Sequence, residues 1–229
     1  MTTDPDELLE VYDAAARPTG VAKARGAVHR DGDWHLAFFC WIVRRSGKSG
    51  NSEERLEVVL QKRAANKDVW PGRFDASAAG HVRFGESAAE AAREIEEELG
   101  LQVTFAELTP VMRHREEHVH ESGLVDREIH DVHLWSCDVP LEDYRPGPEV
   151  SGIVSVPLDE IVALAKHERP SLAATLVTFT ASRESAAVRA SQTPIVLRAD
   201  DLVPYAAAYW DALARAAIAH SGRASMARR

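Results

Sequence analysis

The stretch from Gly80 to Leu101, GHVRFGESAAEAAREIEEELGL, restricts what this chain can fold into more than any other. Ala88, Ala89, Ala91 and Ala92 favour a helix, Ser87 or Glu86 can cap its start, and Gly100 supplies a stop. A helix there sets Glu94, Glu97 and Glu98 at i, i+3 and i+4, with neighbouring Cβ atoms about 5–6 Å apart on one face. That face repels itself unless a cation sits on it. A solvated acidic surface is one reading of such a run. The other is a site for Mg²⁺, which takes a few carboxylates, waters and substrate phosphate oxygens, and then the chemistry is that of phosphates.

The residues around the glutamates favour the second reading. The stretch resembles the box of the Nudix hydrolases, G-x5-E-x7-R-E-U-x-E-E-x-G-U with U a bulky aliphatic residue. Gly80, Glu86, Arg93, Glu94, Ile95, Glu97, Glu98, Gly100 and Leu101 fill its fixed positions. One departure stands out: six residues, Ser87 to Ala92, separate Glu86 from Arg93 where the family has seven. The shortfall falls at the junction of loop and helix, so it bears on Glu86, in the family a supporting residue near the metal, more than on the acidic face. The resemblance implies an α+β Nudix fold, a mixed β-sheet sandwiched between helices. It also implies Glu97 as the residue that ligates metal and helps deprotonate a water, with Arg93 orienting the glutamate cluster.

A chain of 229 residues is long enough for one such domain with extensions. We expect an N-terminal segment over 1–24, the Nudix domain over 25–166 and a C-terminal helical extension over 167–229. The net charge of −9 argues against a general surface for nucleic acid polymers or anionic membranes, so a phosphate site must be a local basic pocket. Cys40 and Cys137 lie in apolar, strand-like runs without metal spacing and read as reduced core residues of a cytoplasmic protein. No signal peptide or long apolar span is visible.

Along the chain, Met1 to Pro5 reads as a disordered start, and Glu7 to Tyr12 as a strand or a helical turn. Ala24 to His29 and Trp34 to Val43 read as strands joined at Asp31-Gly32. A two-residue loop there separates His29 from His35, whereas a three-residue loop ending at Asp33 sets both on one face. Arg45 to Glu54 reads as a polar loop and Arg55 to Arg63 as a strand. Lys62, Arg63 and Lys67 then suit either a diphosphate or a solubilising loop. Gln102 to Leu108, Pro110 to Arg115, Glu128 to Val139 and Ser151 to Val156 read as strands, with Glu116 to Asp126 as a loop. Helices are expected from Pro157 to Ala165, weakly from Ser171 to Arg189, and from Ala199 to His220. That last helix would cover the core or a partner subunit, which leaves a homodimer open. His114, His118, His120, His130 and His133 match no zinc module and are expected to be mostly exposed.

Beyond the box, His29 to Val139 is similar to the type I isopentenyl-diphosphate isomerases. The shared residues are His35-Leu36-Ala37-Phe38, Trp41, Arg63-Ala64, Lys67, Trp70-Pro71-Gly72, Gly80-His81, Gly85-Glu86-Ser87 and Ser122-Gly123 before Glu128. This resemblance implies His29, His35, His81 and Glu128 as metal ligands, with Asp126 a lesser one, and Arg63 and Lys67 as the grip on a diphosphate. The isomerase has a catalytic cysteine immediately before its Gly-His pair; this chain has Ala79, which can be neither acid nor base. With Glu94, Glu97 and Glu98 all present, the expectation is Mg²⁺- or Mn²⁺-dependent hydrolysis of a small-molecule diphosphate. Isomerisation and a non-catalytic ligand-sensing module are the alternatives. The organic group is a nucleoside or an isoprenoid, for which Trp70, Phe74 and Trp41 are candidate contacts.

Overall fold

The structure is a computed structural model that describes residues 7–46, 55–120, 123–181 and 188–226. The start expected at Met1 to Pro5, most of the polar loop at Arg45 to Glu54, and Ser122 lie outside these residues.

The organising element is a long strand whose two faces are both buried. In chain order, β1 (Leu8–Tyr12), β2 (Pro18–Ala24) and the short helix α1 (Arg25–Asp31) lead into β3 (Trp34–Ser46). Along β3, Leu36, Phe38, Cys40 and Ile42 enter one apolar cluster, and Ala37, Phe39, Trp41 and Val43 enter the other. A strand has a side-chain period of two, so a continuous apolar run of this kind needs cover on both sides.

The cover comes from the elements that follow: β4 (Arg55–Arg63), β5 (Phe74–Asp75), β6 (Ala78–His81), α2 (Ala88–Ala91), α3 (Arg93–Leu99), β7 (Thr109–Val119), β8 (Val125–Ser136), β9 (Val150–Pro157), α4 (Leu158–Ala165), β10 (Leu172–Ala181), β11 (Val188–Leu197) and α5 (Ala207–Met226). Ile95 and Leu99 of α3 seal one face, while Ile161 and Leu164 of α4 and Leu213 and Ala217 of α5 seal the other. The sheet is mixed: β8 runs parallel to β3, and β4 and β6 run antiparallel to it. This is the sheet-between-helices α+β fold expected from the sequence.

Several segments differ from their sequence reading: residues 116–119, read as loop, extend strand β7, and the helix read from Ala199 begins at Ala207. Residues 25–31 form a helix rather than a strand, closed by Gly32 in the left-handed region at φ 68°, where its N–H bonds Val28 O. Residues 102–108 are not a strand; Phe105–Glu107 form a 3₁₀ turn in which the Glu107 carboxylate accepts from the amide and hydroxyl of Thr104. Residues 172–181, with Ala content that suggested helix, are strand β10. Its Thr and Val side chains are β-branched, and β10 finds neighbours on both sides in β9 and β11, so sheet pairing overrides local propensity. The C-terminal region is therefore a hairpin followed by a helix. Trp210, Tyr209 and Leu213 of α5 are buried in the core of this same chain.

Candidate active site

The box folds as a capped helix broken once. Ser87 Oγ accepts from the Glu90 amide, and the Glu90 carboxylate accepts from the Ser87 amide, so Ser87 rather than Glu86 is the cap. At the far end Gly100 stops α3 at φ 68°. Ile95 and Leu99 turn inward.

Arg93 ties the acidic residues together. Its Nε donates to Glu86 Oε1 at 2.8 Å and its Nη2 to Glu86 Oε2 at 3.2 Å. Its Nη1 donates to Glu94 and, at 3.2 Å, to Glu97 Oε2. Glu86 thus keeps a fixed partner despite the shortened spacing. Glu98 is buried, and its Oε2 accepts from Gln61 Nε2 and from the Ala79 amide, each at 2.8 Å. Burial pushes its carboxyl up to about 8 against the pull of Lys67, and the nearby Glu94 adds to the push. Burial also raises Glu94, although Arg93 opposes it. The Glu97 side chain is 52% exposed, and Glu94 is 13% exposed. The oxygens of Glu94, Glu97 and Glu98 are not among the described donor sets that lie within 4.8 Å of one another.

Two such sets do exist. One joins His29, His35 and His81; the other joins His35, Asp126 and Glu128. The histidine pair arises by neither hairpin considered above, since His29 sits in the last turn of α1 and His35 on β3, with ring centroids 5.0 Å apart. His81 Nε2 lies 3.3 Å from Glu128 Oε1, and His35 Nε2 lies 3.8 Å from the same oxygen. His29 Nε2, His35 Nε2 and Asp126 Oδ1 are buried with no hydrogen-bond partner. Orphaned imidazole nitrogens and a carboxylate oxygen meeting at one place fit a divalent metal, whose donors these atom types are. Burial and neighbouring His81 push His29 down to about 3 and His35 down to about 4, which leaves both rings unprotonated. For His81, burial is outweighed by Glu128 and Glu7, which raise it to about 9. Burial beside Glu128 lifts Asp126 to about 7.

Both clusters open on one cavity of about 610 Å³. Its walls include His29, His81, Asp126 and Glu128 of the histidine cluster, Glu94, Glu97 and Glu98 of the box, and Arg63, Lys67 and Trp70. His35 lies behind them, fully buried. Ala79 also lines the cavity. Arg63 and Lys67 are already paired, Arg63 with Asp75 at 2.9 Å and Lys67 with Glu149. Of the aromatic residues considered as contacts, Trp70 alone faces this space; Trp41 and Phe74 are core side chains, and Trp41 Nε1 donates to Tyr209 OH at 2.9 Å. Trp70 holds a φ of 50°, a costly conformation for a bulky residue, with the Arg73 guanidinium 4.9 Å from its ring centroid.

Sequence reading missed several residues of this cavity. Arg25 is buried beside His81, its Nε 3.3 Å from His81 Nδ1; a strand reading of residues 24–29 hides it, because it stands at the start of helix α1. Glu7 and Tyr205, more than 100 residues from their neighbours in space or near an end of the chain, carry no local motif. None of the five histidines expected to be mostly exposed is so: His114, His118 and His120 are half-buried, and His130 and His133 are buried, stacked on Phe39 and Phe38, because β8 lies beside β3 with both its faces covered.

Comparison with known proteins gives the family and the fold. The NUDIX domain model matches residues 33–176. An uncharacterized Nudix hydrolase of Clostridium acetobutylicum is 32% identical over 212 residues, covering 92% of this chain and 97% of its own. An isopentenyl-diphosphate Delta-isomerase of Salmonella heidelberg is 29% identical over 126 residues, covering 54% of this chain and 64% of its own. A crystal structure of a protein from Deinococcus radiodurans aligns with a TM-score of 0.50 at 18% identity, covering 69% of this chain and 87% of that one, and shows the fold.

Proposed function

The chain belongs to the Nudix hydrolase family, whose members hydrolyse phosphorus-containing anhydrides, and on that premise we propose that it is a Mg²⁺- or Mn²⁺-dependent pyrophosphohydrolase. Its substrate is a small molecule in which a diphosphate is linked to an organic group, of nucleoside diphosphate or prenyl diphosphate type. The observation that carries this reading is the shared cavity: carboxylates suited to a hard cation and cations suited to phosphate oxygens line the same walls.

In this reading Glu94, Glu97 and Glu98, joined by Glu128 of the same cavity, would hold a divalent ion, whose chemistry would be to neutralise phosphate charge and acidify water. Glu97 is the exposed member of the three and takes the proton from the attacking water. Arg93 keeps Glu94 and Glu97 in place through its bonds to both. Arg63 and Lys67 grip phosphate oxygens and stabilise the charge that develops there, with Lys67 giving up its pairing to Glu149. Trp70 packs against the organic group. His29, His35, His81, Asp126 and Glu128 make a second, nitrogen-containing site, supported by the orphaned Nε2 and Oδ1 atoms. Isomerisation is the less supported activity, because Ala79 brings no acid to the cavity wall. Two buried free cysteines accord with a reducing, cytoplasmic setting.

The test is phosphate release from nucleoside di- and triphosphates, nucleotide sugars and isopentenyl diphosphate, with Mg²⁺ and with EDTA. Metal-dependent release from any of them supports the hydrolase. No release, with isopentenyl diphosphate converted to the dimethylallyl isomer, would replace it with the isomerase.

A further inference from the structure

The C-terminal region reaches the cavity through Val203 and Tyr205. Ahead of α5 the chain runs alongside β5: Leu202 bridges to Phe74, the Val203 amide donates to Phe74 O at 2.9 Å, and Arg73 Nη1 donates to Leu202 O at 2.9 Å. This brings Tyr205 to the cavity wall, where it stacks on Tyr209 with centroids 4.6 Å apart and meets Phe39 edge-on. Its hydroxyl donates to Asp75 Oδ1. The same oxygen accepts from the Ala76 amide at 2.7 Å. The other oxygen, Oδ2, accepts from Arg63 Nη1 at 2.9 Å. Arg63 Nε donates to Val69 O at 3.1 Å. Its Nη2 has no hydrogen-bond partner among the described residues, so the guanidinium is held on one side and free on the other.

We propose that Tyr205 is a positioning residue: through Asp75 it fixes the Arg63 guanidinium so that its free edge is presented to the diphosphate of the substrate. This rests on the reading of Arg63 as a phosphate-gripping residue given above. Asp75 is 3% exposed, so its carboxylate depends on the donors packed around it, and losing one leaves Oδ1 short of a partner. Without the Tyr205 hydroxyl, Oδ1 keeps only the Ala76 amide, and the carboxylate is free to turn toward Arg63 and draw in the nitrogen that should face the substrate. A planar fork binds phosphate only in the right orientation, so a small rotation is felt as lost affinity. The C-terminal region, which contains none of the box, would then set substrate affinity.

Tyr205→Phe removes the hydroxyl and keeps the ring in its stack. Calorimetric titration of inorganic pyrophosphate in the presence of Mg²⁺, together with thermal melts, should show affinity about tenfold weaker and a melting temperature lower by only a few degrees, the loss of one buried hydrogen bond from an otherwise intact fold. Arg63→Gln should weaken binding further, and adding Tyr205→Phe to it should cost nothing more, because the hydroxyl acts only through Arg63. Asp75→Asn should reproduce the Tyr205→Phe loss. Equal affinity in wild type and Tyr205→Phe, or additive losses in the double variant, would overturn the positioning role and leave the diphosphate reading intact. Failure of the wild type itself to bind pyrophosphate would overturn that reading and the positioning role with it.

Discussion

The carboxylate of Glu94 fills the space that a side chain at Gly80 would need. A Cβ at position 80 would lie 2.2 Å from Glu94 Cδ and 2.5 Å from each of its oxygens. Glycine at the head of the box and glutamate fourteen residues later are therefore one steric unit, formed where α3 packs on β6. Gly80→Ala should displace Glu94 from the cavity and lower turnover by about 100-fold or more, while stability falls by less than about 1 kcal/mol, because the clashing atoms are the end of a flexible side chain that can swing aside. Steady-state kinetics with a parallel denaturant melt check both numbers. Full activity would mean that the position of Glu94 is immaterial.

The histidine cluster gives a prediction that does not depend on turnover. Protein loaded with Zn²⁺ and then dialysed against metal-free buffer should retain about one ion per chain by elemental analysis, since His29, His35 and His81, or His35, Asp126 and Glu128, each bring three donor atoms together. His35→Ala removes a fully buried donor shared by both sets and should release that ion. Retention by the variant would place the ion elsewhere.

Helix α5 should be part of the fold and not an appendage. Trp210 is 1% exposed and packs against Trp41 with ring centroids 5.3 Å apart, and the neighbouring Tyr209 accepts from the Trp41 indole. Trp210→Ala should cost about 3–5 kcal/mol in urea unfolding. A cost below about 1 kcal/mol would show that the helix is dispensable.

Much of the site was legible because it is local. Ser87, Arg93, Glu94, Glu97, Glu98 and Gly100 lie within one short stretch, where spacing alone sets their geometry. His81 and Glu128 came only by resemblance, and His29 with His35 by resemblance beside a hairpin register that left their pairing open, because the four sit on α1, β3, β6 and β8. Asp75 and Tyr205, 130 residues apart, left no trace in spacing or composition. Strand β3 could be read because its apolar run is continuous. Strand β10 could not, because its Ala-rich half suggests helix until β9 and β11 are beside it. Helix α1 is short, and its Gly32 cap looks like a hairpin turn in sequence.

The most direct test of the account is the turnover of Glu97→Gln beside wild type, on whichever diphosphate the wild type hydrolyses. Glu97 is half exposed and its pairing with Arg93 at 3.2 Å is a surface one, so the variant should fold and melt as wild type does. The account predicts kcat lower by about 100-fold or more, because the group that deprotonates the water is gone. An unchanged kcat would remove Glu97 from the chemistry and contradict the assignment of the acidic helix face as the catalytic one.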